Sequence, residues 1–316
     1  MFNGSVLVSM NGKIVYKNAF GFANIEHEIL NNTETKFEIG SCTKQFTATL
    51  IMLLKEKKQI SLDDKITDYL PEYPSDKGGK ITIHNLLSHT SGIPEYVELP
   101  EMQCLLFREN NSSEFMKVFW DLDLNFEPSS ELRYSNSNYF ILGVIIERIT
   151  GKPYAQVLQE SIFNPLGMKN SGVIKITEIL KNKAYGYIKL DDTLTVAPCW
   201  NTSGVFSAGN IYSTIEDLFK WQLALQSNTL INKESFDIMV TPNFSRYGYG
   251  FAILNRTHKD GSKYTLYGHE GGIPGFRSLI NIIKEDNSSV IILDNNQNPN
   301  HFKIANAIRK IVYEDN

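Results

Sequence analysis

Phe37-Glu38-Ile39-Gly40-Ser41-Cys42-Thr43-Lys44 runs without a break into an apolar-periodic stretch carrying Phe46, Leu50, Leu53 and Leu54. The spacing predicts a helix from Thr43 to Lys57 with Ser41 at its start. At i and i+3, Ser41 and Lys44 share one face, so an amine approaches a hydroxyl. A serine hydroxyl is a poor nucleophile until a base takes its proton, and a desolvated lysine suits that work. A helix start also points free N–H groups at any nearby oxyanion. By itself, Ser-x-x-Lys reads equally as a helix cap followed by a surface lysine.

Outward from this segment the chain changes character. Before it, Ser5–Val8 and Lys13–Tyr16 flank Asn11-Gly12, a two-residue hairpin signal. After it, helical patterns punctuated by Gly and Pro cover Ile83–Ser88, Tyr139–Thr150, Tyr154–Ile162 and Thr214–Gln226. The last third returns to strands. Tyr249–Leu254 and Tyr264–Tyr267 flank Lys259-Asp260-Gly261, and Ser278–Ile283 and Val290–Leu293 flank Asp286-Asn287-Ser288. Pro299 then opens a final helix with Ile304, Ile308, Ile311 and Val312 on one face. A lone hairpin is marginal in water, so the first strands are expected to join the last ones in a single sheet. The expectation is an α/β (α+β) protein in which residues 1–60 and 185–316 form a discontinuous lobe with an antiparallel sheet. Residues 61–184 are then an inserted, mostly helical lobe, with the active site in the cleft between the two.

Composition excludes several classes. Of 316 residues, 31 are Lys or Arg and 35 are Asp or Glu, a net charge of −4 without the clustered basic surplus of a nucleic-acid binder. Hydrophobic content of 42% is ample for a core. Cys42, Cys104 and Cys199 form no CxxC pair and read as three buried thiols. No stretch reaches the ~18 apolar residues of a membrane span. The start, Met1-Phe2-Asn3-Gly4, lacks a basic n-region and an apolar h-region, so the chain as written reads as cytoplasmic, or as extracytoplasmic had a leader or anchor been removed. Oligomeric state is not legible.

Two further strings carry chemistry. In Arg133-Tyr134-Ser135-Asn136, Tyr134 and Asn136 sit two apart in a turn before a helix. A phenol beside an ammonium has its pKa lowered, so Tyr134 and Lys44 are expected to share a proton. Asn136 offers a donor and an acceptor to a substrate amide. Alone, this pair also reads as a helix cap. Gly268-His269-Glu270-Gly271-Gly272 follows the Tyr264–Tyr267 strand, and such glycines let a substrate backbone lie against a sheet edge. There is no Gly-x-Ser-x-Gly elbow, P-loop or dinucleotide fingerprint. His269-Glu270 and His27-Glu28 do not continue as zincin motifs, the six histidines show no recognisable metal-ligand spacing, and His84 and His89 read as satisfied core or loop residues. No metal and no cofactor is expected.

Taken in order, the three strings resemble the serine β-lactamase and penicillin-binding-protein superfamily, whose class A members carry S-x-x-K, S-D-N and K-T-G. The chain is more similar to the branch with Tyr-x-Asn and His-x-Gly: class C β-lactamase-like proteins, D-alanyl-D-alanine carboxypeptidases, D-aminopeptidases and esterases. Leu86–Ile93, Asn164–Met168 and Ser207–Leu218 agree with that branch. The resemblance implies a β-lactamase/transpeptidase-like fold with helices flanking the sheet, and a serine hydrolase acting through an acyl-enzyme on an amide, a D-amino-acid-containing peptide or an ester. It further implies that Ser41 is acylated, that Lys44 and Tyr134 are the acid/base pair, and that Asn136 orients the substrate. His269 takes a position where many relatives have lysine. Gly271 lies on the substrate-binding strand, and the backbone N–H groups of Ser41 and Gly272 form the oxyanion hole. The alternative is a weakly catalytic, sensor-like penicillin-binding relative. Two departures bear on specificity and placement. The helix that commonly precedes the first strand is missing, and Glu270 stands where threonine is frequent. Two expectations follow: His269 titrates between pH 5 and 8 and switches the cleft, and Glu270, if it faces the cleft, disfavours carboxylate-bearing substrates.

Overall fold

A computed structural model describes residues 2–311 apart from 101, 106, 108, 192, 245, 258–260 and 298–299. The expected turn at Lys259-Asp260, the Pro299 helix start, the Cys104 side chain and Val312 lie outside the described residues.

The hairpin forms as β1 (Gly4–Met10) and β2 (Lys13–Phe20), with Asn11 and Gly12 at φ 48° and 70°, the left-handed pair that a type I′ turn demands. β3 (Ala252–Thr257), β4 (Lys263–Ile273), β5 (Phe276–Ile283) and β6 (Ser289–Asp294) complete a six-stranded antiparallel sheet ordered β3-β4-β5-β6-β1-β2. N- and C-terminal strands therefore meet at the β1–β6 ladder, Val6 opposite Ile292. Period-2 alternation divides their side chains. Val6, Val8, Val290 and Ile292 pack under the last helix, while Leu7, Ile291 and Leu293 join the main core.

That core is built on α1 (Thr43–Glu56), α2 (Asn136–Thr150) and α3 (Ile215–Gln226). Phe46 of α1 stacks on Trp221 of α3 with centroids 4.1 Å apart. Apolar periodicity marked only one face of α1, yet Lys44, Gln45, Thr47 and Thr49 are buried as well. Each makes a side-chain hydrogen bond: Thr47 Oγ1 donates to Ser207 O (2.6 Å), and Gln45 Oε1 accepts from Trp221 Nε1 (3.0 Å), although Gln45 Nε2 has no hydrogen-bond partner among the described residues.

Several local expectations change. β4 does not end at Tyr267 but runs through His269 and both glycines, because β5 pairs with it as far as Ile273↔Phe276. Glycine has little strand preference of its own, and the ladder overrides it. The strand expected from Tyr249 starts at Ala252, since Tyr249 N is engaged by Met239 O and Gly250 turns at φ 76°. Tyr154–Ile162 is an α-helical turn, Tyr154–Leu158, continued as a π turn, Gln159–Phe163. In α4 (His301–Arg309), Ile304 and Ile308 pack on the sheet, but Ile311 lies beyond the helix and is exposed. Cys42 is buried, whereas Cys199 is exposed. No described helix is long and apolar enough to cross a membrane.

Candidate active site

Ser41 sits in a 3₁₀ turn, Gly40–Cys42, leading into α1. The turn is bolted to the sheet from below. Cys42 Sγ donates to His269 O (3.2 Å), and Ser278 Oγ donates to Ile39 O (2.7 Å). Burial pushes the Cys42 thiol up to about 12, so it stays protonated and is a structural group, not a rival nucleophile. Gly40 has φ +49°, and a Cβ there would stand 2.8 Å from the backbone N of Gly272. Close approach thus puts the backbones of Ser41 and Gly272 side by side. The β3 ladder stops at Gly268, so from His269 to Ile273 one edge of β4 carries no strand partner among the described residues.

Lys44 is fully buried. Its Nζ lies 3.1 Å from Ser41 Oγ, 2.7 Å from Asn136 Oδ1 and 2.9 Å from Ala208 O. Burial lowers its pKa to about 7, opposed by the negative charge of Glu95. The Ala208 carbonyl and the Asn136 oxygen can only accept. A neutral amine therefore spends its two hydrogens on them and leaves its lone pair for the Ser41 hydroxyl.

Asn136 opens α2, three residues earlier than expected, because Glu95 satisfies its otherwise orphaned N–H (2.6 Å to Oε2). The same Oε2 accepts from Asn136 Nδ2 (3.0 Å), and Glu95 Oε1 accepts from Val97 N (3.0 Å). Since a carboxylate only accepts, Glu95 decides which way the Asn136 amide points and presents its oxygen to Lys44. Burial raises the Glu95 pKa against the pull of these N–H groups and of Lys44. Sequence reading missed Glu95. It stands two residues after Leu86–Ile93, but no spacing relates it to Asn136.

Tyr134 places its ring centroid 4.9 Å from Lys44 Nζ and 4.4 Å from the His89 ring. The expected lowering of its pKa is reversed. Burial raises it, and Glu95 adds to the rise, although the neighbouring Ser41 hydroxyl opposes it. Tyr134 is 37% exposed, so water solvates part of the phenolate and the push is weaker than at the enclosed Tyr96 and Tyr139. Desolvation favours the neutral form of both partners, so the resting pair is a phenol beside an amine that titrates near neutrality. His89, read from sequence as satisfied, accepts from Ser135 N at Nδ1 (3.2 Å), while its buried Nε2 finds no hydrogen-bond partner among the described residues.

His269 is buried against Tyr134 and Tyr247, and Tyr247 hydroxyl lies 2.9 Å from its Nε2. Burial, then the charge of Lys44, drives its pKa down to about 4. The imidazole is neutral from pH 5 to 8, which overturns the expected switch. Strand alternation turns Glu270 to the opposite face. Its carboxylate contacts Arg277 Nη1 (3.1 Å) and His301 Nε2 (3.2 Å). Burial pushes that carboxyl up, but His301 and Arg277 outweigh it and hold it low. Gly271 packs against the Ile39 carbonyl, directly beneath the nucleophile turn. A cleft of about 310 Å³ opens over Ser41, lined also by Asn136, Trp200, Gly272 and Arg277. Among the described residues Arg277 is its only charged lining side chain and, like Trp200, it carries no sequence signal.

The Beta-lactamase family model matches residues 2–313. The chain belongs to that family. This places it in the serine hydrolase superfamily, in keeping with the fold and the order of the three strings. Among its relatives, the Bacillus subtilis (strain 168) protein PbpX, named as a penicillin-binding protein, is 34% identical over 303 residues, spanning 94% of this chain and 71% of that one. The crystal structure of a penicillin binding protein from Bacillus halodurans superimposes with a TM-score of 0.85 at 27% identity, covering 98% of this chain and 96% of that one. A D-amino acid amidase from Ochrobactrum anthropi, solved with D-phenylalanine, gives 0.82 at 27% identity over 93% and 87% of the two chains.

Proposed function

We propose that this family member hydrolyses an amide, a D-amino-acid-containing peptide or an ester through an acyl-enzyme on Ser41. The observation that carries the reading is the Lys44 amine, whose fixed acceptors, Asn136 and Ala208, leave its third position facing Ser41 Oγ at 3.1 Å. Lys44 takes the hydroxyl proton as Ser41 Oγ bonds to the carbonyl carbon, and the carbonyl oxygen gains charge beside the Ser41 and Gly272 N–H groups. Collapse breaks the bond to the leaving group, which takes the Tyr134 proton; the phenolate recovers a proton from Lys44. Water then repeats the sequence on the acyl group. A phenol that holds its proton suits this donor role. Ser41 and Gly272 come from the 1–60 and 185–316 lobe and Asn136 and Glu95 from 61–184, which supports the reading of a cleft between two lobes. The names of the relatives, penicillin-binding proteins and a D-amino acid amidase, support the substrate range.

Intact-mass spectra after exposure to a fluorophosphonate, to benzylpenicillin and to p-nitrophenyl acetate test this. One adduct per chain is expected, absent from Ser41→Ala; a label that persists in Ser41→Ala sinks the assignment. An adduct that forms but releases no product favours the sensor-like reading.

Glu95 is read as a positioning residue that acts through Asn136 and by its charge. Glu95→Gln removes a negative charge that favours the Lys44 ammonium, so the acidic limb of the kcat/KM profile is expected to move to lower pH. A limb at the wild-type position would show that Glu95 only braces the α2 start.

A further inference from the structure

Beyond Trp200 the Ser41 cleft opens into a much larger groove of about 800 Å³, within the ~300–1,000 Å³ typical of small-molecule sites. Trp200, Ile273 and Pro274 line both spaces, so the groove is continuous with the cleft. Its walls are largely apolar. They include Ile174, Ile176, Val196, Ala197 and Pro198. Ile176 and Val196 are 54% and 59% exposed, apolar surface that a ligand would remove from water. Four charged residues line the groove, and they are matched among themselves: Glu38 with Lys183 at 2.7 Å, Lys175 with Glu178 at 3.8 Å. Among the described residues no uncompensated charge lines the groove to hold an ionic group.

The direction of the cleft assigns the groove to one side of the scissile bond. Tyr134, the proton donor to the leaving group, lies beside His269, with ring centroids 6.0 Å apart. Ile273 and Pro274 lie at the far end of the same strand edge, about 13 Å along at ~3.3 Å per residue. A substrate whose leaving group reaches Tyr134 therefore extends its acyl portion past Gly272 toward Trp200. We infer that the groove is an acyl-group subsite, and that the preferred substrates are esters or amides of acids bearing a long, neutral aliphatic or aryl group. The inference rests on the acyl-enzyme reading above and adds the substrate class.

The test is a series of p-nitrophenyl esters from acetate to decanoate, each below its micelle-forming concentration, with wild type, Ile176→Asp and Val196→Asp. Both positions are exposed, so an aspartate is tolerated by the fold, which circular dichroism verifies. At about fourfold per fully buried methylene, and less where burial is partial, the decanoate-to-acetate ratio of kcat/KM is expected to reach ~100 in wild type. It is expected to fall at least ~10-fold in either variant, because a carboxylate in the wall penalises an apolar chain. A flat series, with acetate still turned over through Ser41, overturns the subsite and leaves the hydrolase reading standing. Absence of any Ser41 adduct overturns the hydrolase reading instead. In that event, fluorescence titration of Ser41→Ala with the neutral dye N-phenyl-1-naphthylamine decides the groove: binding weakened by Val196→Asp supports it, and binding that is absent or indifferent to Val196 refutes it.

Discussion

Lys44→Met is expected to lower kcat/KM for an ester by ~10³-fold, within the ~10²–10⁴ usual for a positioned acid–base group. Methionine fills similar volume, and two stability effects oppose one another. An ammonium no longer has to be buried, but Ala208 O and Asn136 Oδ1 lose their donor. A melting curve close to that of wild type would show that the loss is chemical. The pH profile supplies the sharper check. With the Lys44 pKa near 7, the neutral amine declines as pH falls, and kcat/KM is expected to drop ~10-fold per unit below that point. His269 stays neutral across the range and adds no second inflection between pH 5 and 8. A profile flat from pH 5 to 8 would remove Lys44 from the role of base. Stability carries the same signature with its own sign. The folded value lies below the ordinary 10.5, so the unfolded chain binds the proton first as pH falls. The contribution of Lys44 is complete above about 10.5, fades between there and about 7, and is constant below.

Gly271→Ala is expected to be the most damaging single-methyl change near the cleft. A Cβ at Gly271 would stand 1.9 Å from Ile39 O and 2.3 Å from Ser278 Oγ. The first contact is backbone, so it is relieved only by moving the Ser41 turn away from β4. Overpacking of this kind costs ~1–3 kcal/mol or more, which for a chain of 316 residues corresponds to a fall in Tm of roughly 2–5 °C. Because the same displacement separates Ser41 from Gly272, kcat is expected to fall by ~10²-fold or more, the usual weight of one oxyanion donor. Gly167→Ala provides the comparison. Gly167 has φ +62° and nothing within 4 Å of the added carbon, so it isolates backbone strain of ~1–2 kcal/mol without crowding. If the two variants melt together and both retain activity, close approach of β4 to the nucleophile turn is not what holds the site.

Part of this protein is written locally. Asn11-Gly12 specifies its hairpin because only residues tolerant of positive φ close a type I′ turn. Phe46, Leu50 and Leu54 specify α1 because their spacing puts apolar groups on one stripe. Ser41 and Lys44 were legible together, since three residues on a helix are neighbours in space. The order of Ser-x-x-Lys, Tyr-x-Asn and His-x-Gly was enough to mark the family.

The remainder depends on residues brought together from far along the chain. β4 continues through Gly268–Gly272 because β5 supplies its hydrogen bonds, not because those residues favour a strand. Glu95 governs the Asn136 amide from 41 positions away, and Glu270 meets His301 and the cleft-lining Arg277. Protonation states lie furthest from the sequence. From the sequence, Tyr134 was expected to have a lowered pKa and share a proton with Lys44, His269 to titrate near neutrality, and Lys44 to suit the role of base if desolvated. Partial desolvation together with the charge of Glu95 reverses the first, while burial moves the second to about 4 and brings the third to about 7. The sequence determined which groups are present and which of them are neighbours along a helix or turn. The tertiary structure decided how much water each group keeps, and desolvation in a packed site exceeds the pairwise effects that spacing can suggest.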